Sequence, residues 1–261
     1  KVVGVVAESE GEPLRVGGKA VVLATGGMGS NPELIAKYSW FAPSAYNMNT
    51  LTPLQNMGDG LMMALSAGAD DANIVTCPIL AAGARDKAMD SHIGAAGVQP
   101  GAIWINKTGR RFANEGTAEN IGDIGPLYGK QPDGIVWSVL DQANIDRLAE
   151  NGSEISIGEF VVFGRPLDRL RMELDQDVAD GVAFAANTPE ELAEKIGKDP
   201  AKLRAEVDKF NAMVDAGEDT DFGRDITTMA KIEQGPFYAI EEVPSMPACS
   251  GGARRNIKGQ V

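Results

Sequence analysis

The sequence predicts a mixed α+β protein, and three observations carry that expectation. Apolar runs of strand length recur at residues 2–7, 20–24, 102–105 and 135–140. A helical period takes over late in the chain, where Leu203, Val207, Phe210 and Val214 follow one another at spacings of four, three and four. Between these segments, 31 glycines and 14 prolines mark turns and helix ends.

The elements follow in order. Val2 to Ala7 and Leu14 to Val16 flank a polar turn with Gly11, as in a β-meander. Lys19-Ala20-Val21-Val22-Leu23-Ala24 is a continuous apolar run that predicts a strand buried on both faces, ending in Thr25-Gly26-Gly27. Asn31-Pro32-Glu33 supplies a cap, a first-turn proline and an early acid for a short helix. Gly58-Asp59-Gly60 precedes Leu61 to Gly68, which reads as a helix closed by its glycine. A coil-rich stretch with Cys77 and His92 follows, then strands at 102–106 and 135–140. Thr188-Pro189-Glu190-Glu191 reads as a capping box, and Asp199-Pro200 opens a longer helix that Gly217 ends.

Composition bounds the function. At 261 residues and 43% hydrophobic, the chain can bury a substantial core as one large domain or two modest ones. It has no run of 18 apolar residues, so no helix is expected to span a membrane. A net charge of −13 argues against a nucleic-acid partner. Residues 1–130 hold 12 acids and 10 bases, whereas 131–261 hold 25 and 14, so a buried site is sought in the first half. Two distant cysteines, Cys77 and Cys249, and one histidine, His92, give no disulfide framework and no metal site. No G-x-S-x-G elbow accompanies His92, which leaves a hydrolase weakly supported. The chain opens on Lys1 inside an apolar run and is read as a piece of a longer protein, its compartment left open.

The segments that carry chemistry are Lys19 to Gly27, Asn31 with Glu33, Gly58 to Leu61 with Ala67-Gly68-Ala69, Gly109-Arg110-Arg111-Phe112-Ala113-Asn114-Glu115, Gly235 to Ile240, and Gly251-Gly252 with Asn256 and Gly259 to Val261. In this order they resemble the flavoprotein family of soluble fumarate reductases, succinate dehydrogenase flavoprotein subunits and 3-ketosteroid dehydrogenases. The resemblance implies a partial FAD-binding domain at 1–71, an inserted α+β cap (substrate) domain at 72–247 and a return to the FAD-binding domain at 248–261. Ala24, Thr25, Gly26, Gly27, Gly58, Asp59, Gly60, Gly251 and Gly252 are its implied cofactor residues. Glycine lets backbone amides approach a dinucleotide closely, although Gly26-Gly27 alone also reads as a tight turn and Asp59 as a helix cap. The family's G-x-G-x-x-G fingerprint is missing. The chain by itself is therefore expected to be isolated without FAD or metal and to be inactive.

The catalytic positions depart from the reductases. Glu119 stands where the resemblance implies a proton-donating arginine, and Ala95 and Val98 stand where it implies the acid–arginine pair behind it. Cys77-Pro78 and Ala248 replace its two histidines. A dicarboxylate substrate is thus poorly supported. An ordinary Glu is protonated in only about one molecule in 500 at pH 7, a handicap of about 3.7 kcal/mol that burial could remove. Glu119 either carries that proton or caps a surface helix. Tyr128 is a second candidate acid, and His92 a candidate substrate contact or plain loop residue. Arg111 with Glu115 reads as a structural pair, and Arg254 with Arg255 as an anion holder or a solvated turn. Cys77 and Cys249 are expected to face one cleft, unbridged, with His92 and Glu119 on its cap side. Residues 19–24 are expected on the same side as 248–261. The implied activity of the full-length protein is FAD-dependent reduction or formation of an activated C–C double bond in a small molecule other than fumarate, with an electron donor that remains unnamed. The alternative is a ligand- or partner-binding module that has lost its chemistry.

Overall fold

The computed structural model describes residues 2–39, 48–50, 54–71, 74, 81–88, 91–157, 161–246 and 251–261. Cys77, Cys249 and Ala248 lie outside the described residues, and with them the expected thiol-lined cleft.

The chain opens with a hairpin of β1 (Gly4–Ser9) and β2 (Glu12–Gly17), paired from Gly4↔Gly17 to Ser9↔Glu12. Its two-residue turn takes Glu10 to φ 53° and Gly11 to φ 84°, the double positive φ that matches strand twist. The strand expected at 19–24 does not form. Residues 20–27 pair with no strand among the described residues, and Val22 is 86% exposed. A strand buried on both faces needs a neighbour on each side, and here the hairpin bonds only to itself.

Helix α1 (Pro32–Tyr38) begins as its sequence dictates, with the Asn31 side chain accepting from Leu34 N at 3.1 Å. β3 (Asn49–Thr50) and α2 (Asp59–Ser66) follow. The stretch read as coil instead holds β4 (Ala81–Ala84) and α3 (His92–Ala96). Their short Ala- and Gly-rich runs carry neither a helical nor a strand period, and tertiary packing decides them. β5 (Ile103–Asn106), a 3-10 turn at Glu115–Glu119, α4 (Ile121–Gly129), β6 (Val136–Asp141), α5 (Gln142–Asn151), α6 (Leu170–Ala179), β7 (Ala183–Ala186), α7 (Pro189–Lys195), α8 (Pro200–Ala216) and β8 (Phe237–Met246) complete the order.

β8 is the hub. One edge carries β6 antiparallel along Phe237–Glu242 and then β3 parallel at Ser245–Met246. The other edge carries β7 and then β4, both antiparallel, and β5 extends the sheet beyond β6. Both faces of β8 are covered, and alternate residues serve different cores. Tyr238 and Ile240 face a core with Trp104, Tyr128 and Leu140 beneath α3, α4, α5 and α6. Phe237 and Ala239 face a second core with Leu203, Val207 and Phe210 from α8. Thr188 caps α7, Asp199 caps α8, and Gly217 closes α8 at φ 73°, as the motifs required.

Candidate functional site

The glycine segments fold into one clasp. Gly58 N donates to Gly27 O at 3.1 Å, Ser30 N to Asn56 O at 3.1 Å, and Asn31 Nδ2 to Met57 O at 2.9 Å, zipping residues 26–31 to the turn before α2. Glycine is obligatory for contact here as well as for conformation. A Cβ on Gly60 would stand 1.9 Å from Thr25 Oγ1, and one on Gly26 (φ 77°) would stand 2.4 Å from Asn56 Oδ1. The N-cap of α2 is Gly58 at φ 89°, and no side chain caps the first turn. Asp59 is therefore exposed at the first helical position and is no cap. A helix start without a side-chain cap, beside a glycine turn, is an edge where backbone N–H groups can meet another acceptor. Such an edge fits one flank of an anionic dinucleotide such as FAD. Gly251 bridges to Ile74, and Arg254 N donates to Asp70 O at 2.9 Å with its guanidinium 3.3 Å from the Asp70 carboxylate. Arg254 thus ties the last segment to the end of the first, and Arg255 is exposed.

The expected catalytic residues scatter. Glu119 is exposed at the end of the 3-10 turn, just before Asn120 caps α4. His92 is no loop residue: it begins α3 and is buried. Its Nδ1 accepts from Arg169 N at 3.0 Å, which puts the proton of the neutral ring on Nε2. Glu173 Oε2 accepts from His92 N at 2.8 Å and Ile93 N at 3.2 Å, so the His92 end of α3 serves as its joint with α6. Tyr128 is fully buried, with its ring edge-on to Trp104 at 5.0 Å. Burial, reinforced by the acid Glu242, pushes its phenol well above the ordinary range, which makes it a poor acid.

Arg111 and Glu115 form a pair as expected, but within a buried quartet that the sequence did not suggest. Arg111 donates to Glu115 at 2.7 Å and to Asp219 at 2.8 Å, and Arg224 Nη1 donates to Glu115 at 3.1 Å. The Arg111 guanidinium lies 5.3 Å from the Phe210 ring and 5.0 Å from that of Phe222. Burial works against the charges, but these bonds hold the Asp219 carboxyl far below its usual range and the Arg111 guanidinium above its own.

Glu242 was also missed. It is fully buried on β8, opposite Val136 and Ala84, and neither carboxyl oxygen nor the Tyr128 hydroxyl has a hydrogen-bond partner among the described residues. The nearby donors serve another acceptor: Trp104 Nε1 and Ser138 Oγ both donate to Gly97 O, at 3.1 and 2.7 Å. Burial alone raises its carboxyl well above the ordinary range. Adjacent acids in a strand covered on both faces were the available signal. Alternation sends Glu241 outward to Arg85, 2.5 Å away, and Glu242 inward. A hollow of about 360 Å³ lined by Arg85, Trp137, Phe184, Lys195 and Glu241 lies on the Glu241 face, and none of the site residues lines it. No helix of the described residues is long and apolar enough to cross a membrane, and no cluster of metal-ligating side chains occurs among them.

Comparison with known proteins identifies the family. The model of the FAD binding domain matches residues 1–261. A vinyl phenol reductase of Lactiplantibacillus plantarum is 31% identical over 93% of this chain and 50% of its own length. An NADH:acrylate oxidoreductase of Vibrio harveyi is 29% identical over 92% of this chain and 22% of its own. The chain therefore spans half or less of these relatives. The open conformation of a flavocytochrome c3 fumarate reductase superposes with a TM-score of 0.65 and 26% identity, over 99% of this chain and 42% of that one.

Proposed function

The chain belongs to the FAD binding domain family, and from that premise we propose that it is the cap and part of the flavin domain of an FAD-dependent oxidoreductase acting on an activated C–C double bond. The observation that carries this reading is the clasp of Thr25, Gly26, Gly58 and Gly60, within a family match that runs the length of the chain. Vinyl phenol, acrylate and fumarate, named by the relatives, each hold a C=C bond conjugated to an aryl or carbonyl group. The substrate proposed here is a small molecule of that class other than fumarate, because Ala95 and Val98 are apolar and buried and Glu119 is an acid, leaving no cation to pair with a dicarboxylate at these positions.

Ala24 to Gly27, Gly58 to Gly60 and Gly251-Gly252 would hold the cofactor, the free backbone N–H groups at the start of α2 facing its anionic part. When bound, FAD supplies hydride exchange with a carbon beside an electron-withdrawing group. The cap residues exclude water and handle the proton. Glu119 is the proposed carrier of that proton; its side chain is exposed here, so closure over bound substrate would have to supply the burial that a neutral acid needs. Tyr128 holds its own proton too firmly for the task, and His92 Nδ1 is engaged as an acceptor. The proposed division is 1–71, 72–247 and 248–261, supported by the Ile74–Gly251 bridge and the bonds between Arg254 and Asp70, which bring exit and return together.

The test uses the full-length flavoprotein, reduced anaerobically and offered a panel of enoates, enones and vinyl arenes. Recovery of oxidised-flavin absorbance with any of them supports the reading. Recovery with none overturns it in favour of a ligand-binding module.

A further inference from the structure

We propose that Glu242 is a pH-sensitive latch between α4 and the sheet: as a neutral acid it lets α4 close over β8 and β4, and as a carboxylate it drives them apart. α4 packs on β4 and β8, and Glu242 and Tyr128 lie buried between them with no hydrogen-bond partner on either carboxyl oxygen or on the phenol. A carboxylate in that place needs donors, and those at hand, Trp104 Nε1 and Ser138 Oγ, are committed to Gly97 O. Gly97 packs directly against the acid, since a Cβ there would stand 2.0 Å from Glu242 Oε1.

Among the described residues, no cation faces the acid from its packed neighbours. α4 contributes Tyr128, β6 contributes Ser138, and β4 contributes only Ala82, Gly83 and Ala84. The turn after α3 contributes Gly97 between buried Ala96 and Val98, and the 3-10 turn contributes Glu115, already bound by Arg111 and Arg224. A group so placed is destabilising whenever it ionises, so opening is linked to loss of one proton. In the open form the acid titrates near its ordinary value of about 4.3, so the open population rises about tenfold per pH unit from there up to the closed-state value.

Hydrogen exchange of the α4 amides in the full-length protein, corrected for intrinsic rate, tests this between pH 5 and pH 9. Protection that falls about tenfold per pH unit over part of that range in the wild type, and is flat in Glu242→Gln, supports the latch. Glu242→Met, of similar volume and never charged, gives the same flat profile if the latch exists. An infrared band of a neutral carboxylic acid, present in the wild type at pH 7 and absent from both variants, is the second expected result. A flat wild-type profile, a slope that survives in both variants, or absence of the band overturns the proposal. None of these readouts depends on a substrate, so the latch and the proposed activity stand or fall separately.

Discussion

Glu115, at the start of the 3-10 turn, and Glu242, on β8, are both buried acids, and their surroundings differ in kind. Glu115 accepts from Trp104 N, from Arg111 and from Arg224, and Asp219 completes a quartet of two cations and two anions. Glu242 meets Gly97, a phenol and a hydroxyl already in use. Burial penalises both, but in the quartet the lost hydration is replaced by charge-assisted bonds, whereas at Glu242 nothing replaces it except a proton. One arrangement is a fixed strut that joins Arg111, beside β5, to Arg224 in the segment beyond α8. The other is stable only while neutral. Solvent exposure alone does not distinguish them; the supply of donors does.

The largest effect expected from breaking this comparison is in the quartet. Arg111→Met leaves Glu115 and Asp219 short of a partner in the interior and should cost about 3–5 kcal/mol, read from denaturant unfolding. A loss below about 1 kcal/mol would mean that solvent reaches the quartet. Gly97→Ala comes next, because its new methyl meets Glu242 Oε1; the expected cost is about 1–3 kcal/mol. The same substitution made in a Glu242→Ala background should cost much less, and a double-mutant cycle measures the difference. Equal costs in the two backgrounds would refute the contact.

Asp219 of the quartet and Glu242 should also pull stability in opposite directions with pH. Asp219 titrates below its unfolded value, so its contribution is present above about pH 3.9 and is lost as pH falls through the folded value. Glu242 titrates above its unfolded value, so its penalty is absent below about pH 4.3 and grows as pH rises toward the folded value. Glu242→Leu should therefore raise stability at pH 8 by about 1–3 kcal/mol and change it far less at pH 5. Asp219→Asn should flatten the acid limb and leave the alkaline limb alone. Thermal melts at fixed ionic strength across that range decide both. The smallest effect is at Glu119: its exposed carboxyl predicts a stability change within about 0.5 kcal/mol for Glu119→Gln. Any larger loss of turnover in the full-length flavoprotein would then be chemical in origin.

The strongly periodic and well-capped elements were legible in the sequence because their causes are local. Asn31, Thr188 and Asp199 cap the helices their spacing announced, and Leu203, Val207 and Phe210 are core as their period required. The ordered glycine segments and the Gly109 to Glu115 stretch likewise pointed to the FAD-binding family, since a close backbone approach is written in glycine. Tertiary structure decided the rest. The apolar run at 19–24 forms no strand because a strand exists only by pairing. His92 belongs to a helix joint because Arg169 and Glu173, far along the chain, come to it. Asp219 and Arg224 join Arg111 across more than 100 residues of sequence. Glu241 and Glu242 are the same amino acid side by side, yet one pairs with Arg85 and the other is sealed under α4. Alternation along β8 could separate their faces, but only the helix packed above one face determined which acid would lose its water.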